Sequence, residues 1–155
     1  MKVSLVLLIT FSLVNCESCP SGWVDAMDLG CLHFGSRPTS WLEASVYCEE
    51  IMNSSSSMIE IFSQDENELL SLIGSLELSL TGAAGWWIGL EDIGHEAEWR
   101  WQSSSKPATY FSWADNRPSQ DTINRDDCVF MSLDPSLHKS VCLDRLPLRQ
   151  GGQRR

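Results

Sequence analysis

The sequence predicts an α+β domain that is stabilised by disulfide bonds. Ser-x-x-Glu patterns at residues 40–43 and 63–66 are capping boxes, and apolar side chains follow each of them at helical spacing. Short runs rich in Trp, Val, Ile and Phe stand before and after these two helices. Helices that are grouped between strands in this way are typical of α+β folds.

The elements follow in chain order. A hairpin is expected over residues 20–35, with its turn near residues 28–30. The first helix places Trp41, Ala44, Cys48 and Ile51 on one face. A strand is then expected at 58–61, followed by a helix that carries Leu69, Leu70 and Ile73 and by a loop at 74–85. Further strands are expected at 86–90, 99–101, 128–131 and 140–142, and a long loop at 103–127 separates the strand at 99–101 from the strand at 128–131.

Composition excludes several classes of protein. With 155 residues and 43% apolar side chains, the chain can form one domain with a real core. A net charge of −10 argues against a nucleic-acid binder. The three histidines show no metal-binding spacing and no Gly-x-Ser-x-Gly occurs, so the sequence does not predict an enzyme.

The two ends of the chain are predicted to lie outside the domain. Residues 1–16 have the length and composition of a signal peptide, cleaved after Cys16 or after Ser18, which predicts secretion; a retained anchor is the alternative. No later run is apolar enough to span a membrane. The domain is assigned to residues 17–142, and residues 143–155 form an atypical basic tail.

The cysteines and one sequon indicate covalent features of an exported protein. Either cleavage removes Cys16 and leaves an odd number of cysteines, so at least one is free or pairs between chains. Local pairs are the economical expectation: Cys19 with Cys31, and Cys128 with Cys142, which leaves Cys48 unpaired. Asn53 begins the sequon Asn-Ser-Ser in a predicted surface turn and is the expected glycosylation site.

Several motifs together resemble the C-type lectin domain family. They are Cys-Pro-x-Gly-Trp at 19–23, the helix with Cys48, Trp-Ile-Gly-Leu at 87–90, Glu-x-x-Trp-x-Trp at 96–101 and Asp-Asp-Cys at 126–128. The resemblance covers residues 19–142 and implies a double-loop fold with two helices and two small antiparallel sheets. It also implies a long loop that binds ligands, often sugars held through calcium. The family's closing cysteine, which would pair with Cys48, is missing here.

The family's usual sugar site is altered in this sequence. Its first calcium-binding triplet, Glu-Pro-Asn or Gln-Pro-Asp, aligns with Arg117-Pro118-Ser119, and its second, Trp-Asn-Asp, aligns with Leu137-His138-Lys139. Arg and Lys have no acceptor atoms for a cation. Of the ligands that the resemblance implies at this site, Asp126 remains. A calcium-bridged sugar is therefore not expected here.

An auxiliary calcium site of the family also has counterparts in this chain. The matching residues are Asp92, Glu96, Asp126 and Asp127. Four converging carboxylates would repel one another without a cation. Ordinary solvated loop acids are the favoured interpretation, so weak or absent divalent binding is expected, and no cofactor is assigned.

The resemblance implies a secreted recognition module that binds glycans or glycoproteins. The expected contact surface is the long loop with Arg117, Ser119, Asp126, His138 and Lys139. Because Arg117 and Lys139 are basic, the expected ligands are anionic glycans or an acidic protein patch, bound without a metal bridge. A lectin-like domain that binds protein and no sugar is the alternative, and so is a site that has decayed to solvated charges.

Overall fold

The computed structural model describes residues 19–81, 84–115, 117, 126–132 and 136–140. Two compact units are distinguished, divided between His33 and Phe34. The elements are β1 (Val24–Asp25), β2 (Cys31–Leu32), α1 (Trp41–Glu50), α2 (Gln64–Thr81), β3 (Gly85–Glu91), β4 (Arg100–Trp101), β5 (Cys128–Ser132) and β6 (Leu137–Ser140). None of the helices in these ranges has the length and apolar character that a membrane crossing requires.

The first unit contains the expected hairpin. β1 pairs antiparallel with β2, and a single 3-10 turn, Met27–Leu29, connects the two strands. Gly30 follows this turn at a φ of 77°, a conformation that glycine adopts without steric penalty. The disulfide between Cys19 and Cys31 matches the expected local pair.

The second unit contains a four-stranded antiparallel sheet in the order β4-β3-β5-β6. With two helices and two small antiparallel sheets in the described residues, the predicted α+β fold is confirmed. Cys128, at the start of β5, is disulfide-bonded, and the expected partner Cys142 lies outside the described residues. The predicted signal peptide and basic tail also lie outside them.

Two indole rings fasten the start of α1 to the sheet. The Trp41 Nε1–H donates to the carbonyl of Ile88 at 2.8 Å, and the Trp87 Nε1–H donates to the carbonyl of Thr39 at 2.8 Å. The capping box predicted at Ser40 fixes the same end of the helix, because Ser40 and Glu43 exchange both hydrogen bonds. These bonds satisfy buried donors while the rings fill the core.

The core of this unit includes most of the predicted α1 face, since Trp41 is buried and Ala44 packs against it, whereas Ile51 is half-buried and does not belong to the core cluster. Trp41, Met58, Trp87 and Cys128 form a buried cluster, against which Cys48 packs. Among the described cysteines Cys48 is the free one, and it is half-buried rather than fully buried. Burial raises the pKa of its thiol, and the negative charge of Glu49 raises it further.

Three expectations about the elements were wrong. α2 continues to Thr81, through the predicted loop, because Gly74 gives room for the ring of Trp86 against the helix. Residues 58–61 form no strand and make one bond to the sheet, from the Gly89 N–H to the Ile59 carbonyl at 3.0 Å. The last described strand is β6, which begins at Leu137, earlier than expected.

Candidate functional site

Three carboxylates converge where β3 ends. Oxygens of Asp92, Glu96 and Asp127 all lie within 4.8 Å of one another. Asp92 is buried, with 1% of its surface exposed, whereas Glu96 is exposed. The Asp92 N–H donates to the Asp127 carbonyl at 3.0 Å and thereby joins the loop after β3 to the start of β5.

A tight turn brings Glu96 back towards Asp92. The His95 N–H donates to the Asp92 carbonyl at 3.1 Å, and the Ala97 N–H donates to Asp92 Oδ2 at 3.0 Å. Gly94 makes the turn possible because its φ is 76°. The spacing of Asp92 and Glu96 in the sequence thus becomes proximity in space.

Negative charge accumulates around these carboxylates. Burial raises the pKa of the adjacent Glu91 carboxyl, and the charges of Asp92 and Asp127 also raise it, against the lowering effects of the Ile93 N–H and Arg100. Sequence reasoning did not include Glu91 among the candidate ligands, and the structure places it at the end of β3.

The oxygen-only donor set fits the hard-cation preferences of calcium. Asp92, Glu96 and Asp127 are the residues that would hold the ion, whose charge would offset their mutual repulsion. Asp126, the fourth predicted ligand, is half-buried and does not belong to the group of converging oxygens.

The predicted sugar position lies beside β6. The Leu137 N–H donates to the Ser112 carbonyl at 2.8 Å, and the Ala114 N–H donates to the Leu137 carbonyl at 3.1 Å. Arg117 follows in a turn, with its N–H donating to the Ala114 carbonyl at 2.9 Å, and the residue is exposed. The structure therefore brings the chain before Arg117 against the strand that carries His138 and Lys139. Ser119 lies outside the described residues.

His138 contacts other residues of the β5–β6 hairpin. Its Nε2 lies 3.2 Å from the Ser132 hydroxyl and 3.1 Å from the Ser136 hydroxyl. Its ring stacks on Phe130 with centroids 5.0 Å apart. These contacts give His138 a structural role in the hairpin. The Lys139 backbone pairs with Val129, and its side chain is not among those described.

An aromatic group beside β4 borders a pocket. Trp101 is buried and packs on Phe62, whereas Trp99 is half-buried and packs on Trp113 with ring centroids 4.9 Å apart. Phe111 stacks on the same Trp113 at 5.8 Å and an interplanar angle of 10°. Trp99 and Phe111 line an open pocket of about 550 Å³. Only the Trp-x-Trp spacing and the nearby Trp113 could have indicated this group from the sequence.

Asn53 occupies the turn in which the sequon was predicted. It is exposed and has a φ of 49°, a conformation that asparagine tolerates better than most residues. The acceptor side chain is therefore at the surface.

Comparison with known proteins identifies several relatives in sequence and in structure. A snaclec of Philodryas olfersii is 29% identical, over 92% of this chain and 84% of its own length. The human lithostathine structure has a TM-score of 0.71 at 27% identity, with 88% of this chain and 92% of that chain covered. The C-type carbohydrate-recognition domain of cow CD23, solved in the presence of a GlcNAc2Man3 oligosaccharide, has a TM-score of 0.68 at 25% identity, with 84% and 92% covered.

The curated relatives differ in how much of their length this chain spans. The share is 66% for a perlucin-like protein of Mytilus galloprovincialis and 29% for the human C-type lectin domain family 17, member A. The family model described as the lectin C-type domain matches residues 37–148, which include both helices and the four-stranded sheet. The chain belongs to the C-type lectin domain family.

Proposed function

We propose that this protein is a secreted, non-enzymatic recognition module that binds glycans or glycoproteins without a calcium bridge at the family's usual sugar position. The observation that carries the proposal is the exposed Arg117, which the resemblance aligns with the first calcium-binding triplet and whose N–H donates to Ala114, a residue bonded to β6. A guanidinium offers donors and no acceptor, so it cannot ligate a cation. The cow CD23 domain, which was solved in the presence of an oligosaccharide, supports glycans as the ligand class.

The favoured ligands carry an anionic group. A planar guanidinium binds carboxylate or sulfate through two parallel hydrogen bonds, which a neutral sugar hydroxyl cannot match. The chain as a whole is acidic, with a net charge of −10, so an exposed Arg would supply local positive charge that attracts an anion to this position. Sialylated and sulfated glycans, or an acidic patch on a protein, have the required chemistry.

A glycan array probed in calcium and again in EGTA tests the proposal. We expect sialylated or sulfated glycans to bind equally in both buffers and to be lost in Arg117→Ala. Arg37→Ala is the matched control, because Arg37 is an exposed Arg that precedes α1. Binding of neutral mannose or galactose that requires calcium would overturn the proposal. Binding of an acidic protein and of no glycan would support the protein-binding alternative instead.

We further propose that calcium binds at Asp92, Glu96 and Asp127 and stabilises the loop after β3. Two observations support this proposal. Oxygens of the three carboxylates lie within 4.8 Å of one another, and Asp92 is buried. The ion would bring positive charge to a group of three carboxylates. Its role would be structural, because these three carboxylates are not the residues that align with the family's usual sugar site.

We also propose that the protein passes through the secretory pathway and carries a glycan at Asn53. The exposed turn at Asn53 and the Cys19–Cys31 disulfide support this. When the protein is expressed in a secreting cell line, we expect to find it in the culture medium. Its mass should fall after enzymatic deglycosylation, and the Asn53→Gln variant should show no such fall. Retention of the wild-type protein inside the cell would contradict secretion.

A further inference from the structure

The pocket beside Trp99 has chemistry that differs from that of the Arg117 position. Its apolar surface comes from Trp99, Pro107 and Phe111, and Phe111 is 38% exposed. Its polar surface includes Glu98 and Arg100, whose side chains form an ion pair at 2.7 Å. Because that pair cancels its own charge, the pocket has no net attraction for an anion. It suits a neutral ligand with one apolar face and several hydroxyl groups.

The walls of the pocket are fixed in advance of any ligand. The Ala108 N–H donates to the Trp99 carbonyl at 2.9 Å, and the Trp101 N–H donates to the Lys106 carbonyl at 2.9 Å. Arg100 and Pro107 form an isolated antiparallel bridge between the same two segments. A preformed pocket binds with less loss of conformational entropy than a loop that must order first.

Two residues that line the pocket have a backbone conformation that is unfavourable for residues other than glycine. Ala97 has a φ of 65° and Ser105 a φ of 55°. Each backbone is held by a hydrogen bond, from the Ala97 N–H to Asp92 Oδ2 at 3.0 Å and from the Ser105 N–H to the Trp101 carbonyl at 2.8 Å. Left-handed residues of this kind are strained, and such residues cluster at binding sites.

From these observations we infer that the Trp99–Phe111 pocket is a second, metal-free saccharide site that takes one neutral pyranose ring. The C–H groups on one face of a pyranose carry slight positive charge and pack on the electron-rich face of an aromatic ring. Its hydroxyls can donate to Glu98 and accept from Arg100, both of which line the pocket. A volume of about 550 Å³ exceeds that of one sugar ring, so the ring can enter with its linkages directed to solvent.

The inference rests on the proposed function only in assuming a glycan ligand, and it involves different residues. Saturation-transfer NMR in EGTA, with chitotriose, N-acetyllactosamine and mannotriose as probes, tests it directly. We expect at least one probe to bind the wild type, with transfer concentrated on one ring. Phe111→Ala should weaken that binding by about tenfold or more, because it removes the stacking surface.

Matched variants separate the two sites. Phe62→Ala removes another exposed phenylalanine, which is outside the pocket lining, and should leave probe binding unchanged. Arg117→Ala should also leave it unchanged, while it abolishes binding of sulfated or sialylated glycans. If Phe111→Ala does not fold, Phe111→Leu takes its place, because leucine keeps the apolar bulk without the ring.

Failure of the inference is distinguishable from failure of the proposed function. No binding of any neutral probe to the folded wild type would overturn the pocket, and so would neutral binding that survives Phe111→Ala. Neutral binding that is lost in Arg117→Ala but not in Phe111→Ala would place the sugar elsewhere and overturn it too. Anionic binding that survives Arg117→Ala would overturn the proposed function and leave the pocket standing.

Discussion

Glu60 holds Ser104 through both of the donors that the serine offers. The Ser104 N–H donates to Glu60 Oε1 and the Ser104 hydroxyl to Oε2, each at 3.1 Å, and the Ser103 hydroxyl donates to the same carboxylate. The residue that follows, Ser105, lines the saccharide pocket. A side chain from the segment after α1 therefore fixes the start of the long loop.

Replacing Glu60 by alanine should loosen that loop. Three hydrogen bonds to a charged group are lost at a partly exposed site, so we expect unfolding free energy to fall by about 1–3 kcal/mol. The affinity for a neutral saccharide should fall as well, because the pocket wall at Ser105 loses its anchor. Urea unfolding and NMR titration measure the two effects. Glu50→Ala, at the exposed end of α1, is the control and should change neither.

Gly74→Ala should destabilise the protein although alanine favours helices. A Cβ at this position would overlap the ring of Trp86. Overpacking of this kind costs about 1–3 kcal/mol, against a gain of about 1 kcal/mol in helix propensity. Thermal unfolding should show a lower midpoint for Gly74→Ala than for Ser75→Ala, on the next residue of the same helix. An unchanged or higher midpoint would contradict the contact.

Calcium should raise the melting temperature. A ligand that binds only the folded state stabilises it in proportion to the logarithm of its concentration over Kd. Asp92→Asn and Asp127→Asn should abolish the shift, because each removes a charged ligand from the group. Asp28→Asn removes an exposed acid from the first unit and should preserve the shift. An unchanged melting temperature of the wild type at millimolar calcium would contradict the proposed calcium site.

The Cys48 thiol should react slowly in the folded protein. Burial and the charge of Glu49 raise its pKa, so the nucleophilic thiolate is scarcer at neutral pH than in an unfolded chain. Alkylation at pH 7.5 should be much slower in buffer than in urea. Because the folded pKa exceeds the unfolded one, stability should fall as pH rises above about 8.5, where the unfolded thiol ionises first. Equal alkylation rates in the two solutions would show an accessible thiol.

Local signals in the sequence were sufficient to predict much of the fold. Ser40 and Glu43 exchange their capping hydrogen bonds as predicted, since the motif acts within a few residues. At the second helix the Glu66 N–H donates to the Ser63 hydroxyl, but the Glu66 carboxylate accepts from Phe62, one residue earlier than expected. The end of this helix could not be predicted, because Gly74 is helical through its packing on Trp86 rather than through propensity.

The sequence likewise predicted one part of the candidate site and missed another. Asp92 and Glu96 come together through a short turn, and the resemblance to the family, rather than any local signal, implied that they would lie near each other. The pocket depends on Trp99, Phe111 and Trp113, which meet only after the long loop has folded back on β4 and β6. Alternation within a strand says which faces side chains occupy, but not whether another segment covers them. Packing of that kind has no local signature.

The contact between Trp99 and Trp113 also has an optical consequence. Two indoles whose centroids are 4.9 Å apart and whose planes are inclined at 59° have transition dipoles that interact strongly. Such a pair should produce an exciton couplet in the far-ultraviolet circular dichroism spectrum, and Trp113→Phe should remove it. Since Trp99 also lines the pocket, a sugar that occupies the pocket should alter the couplet without any added label.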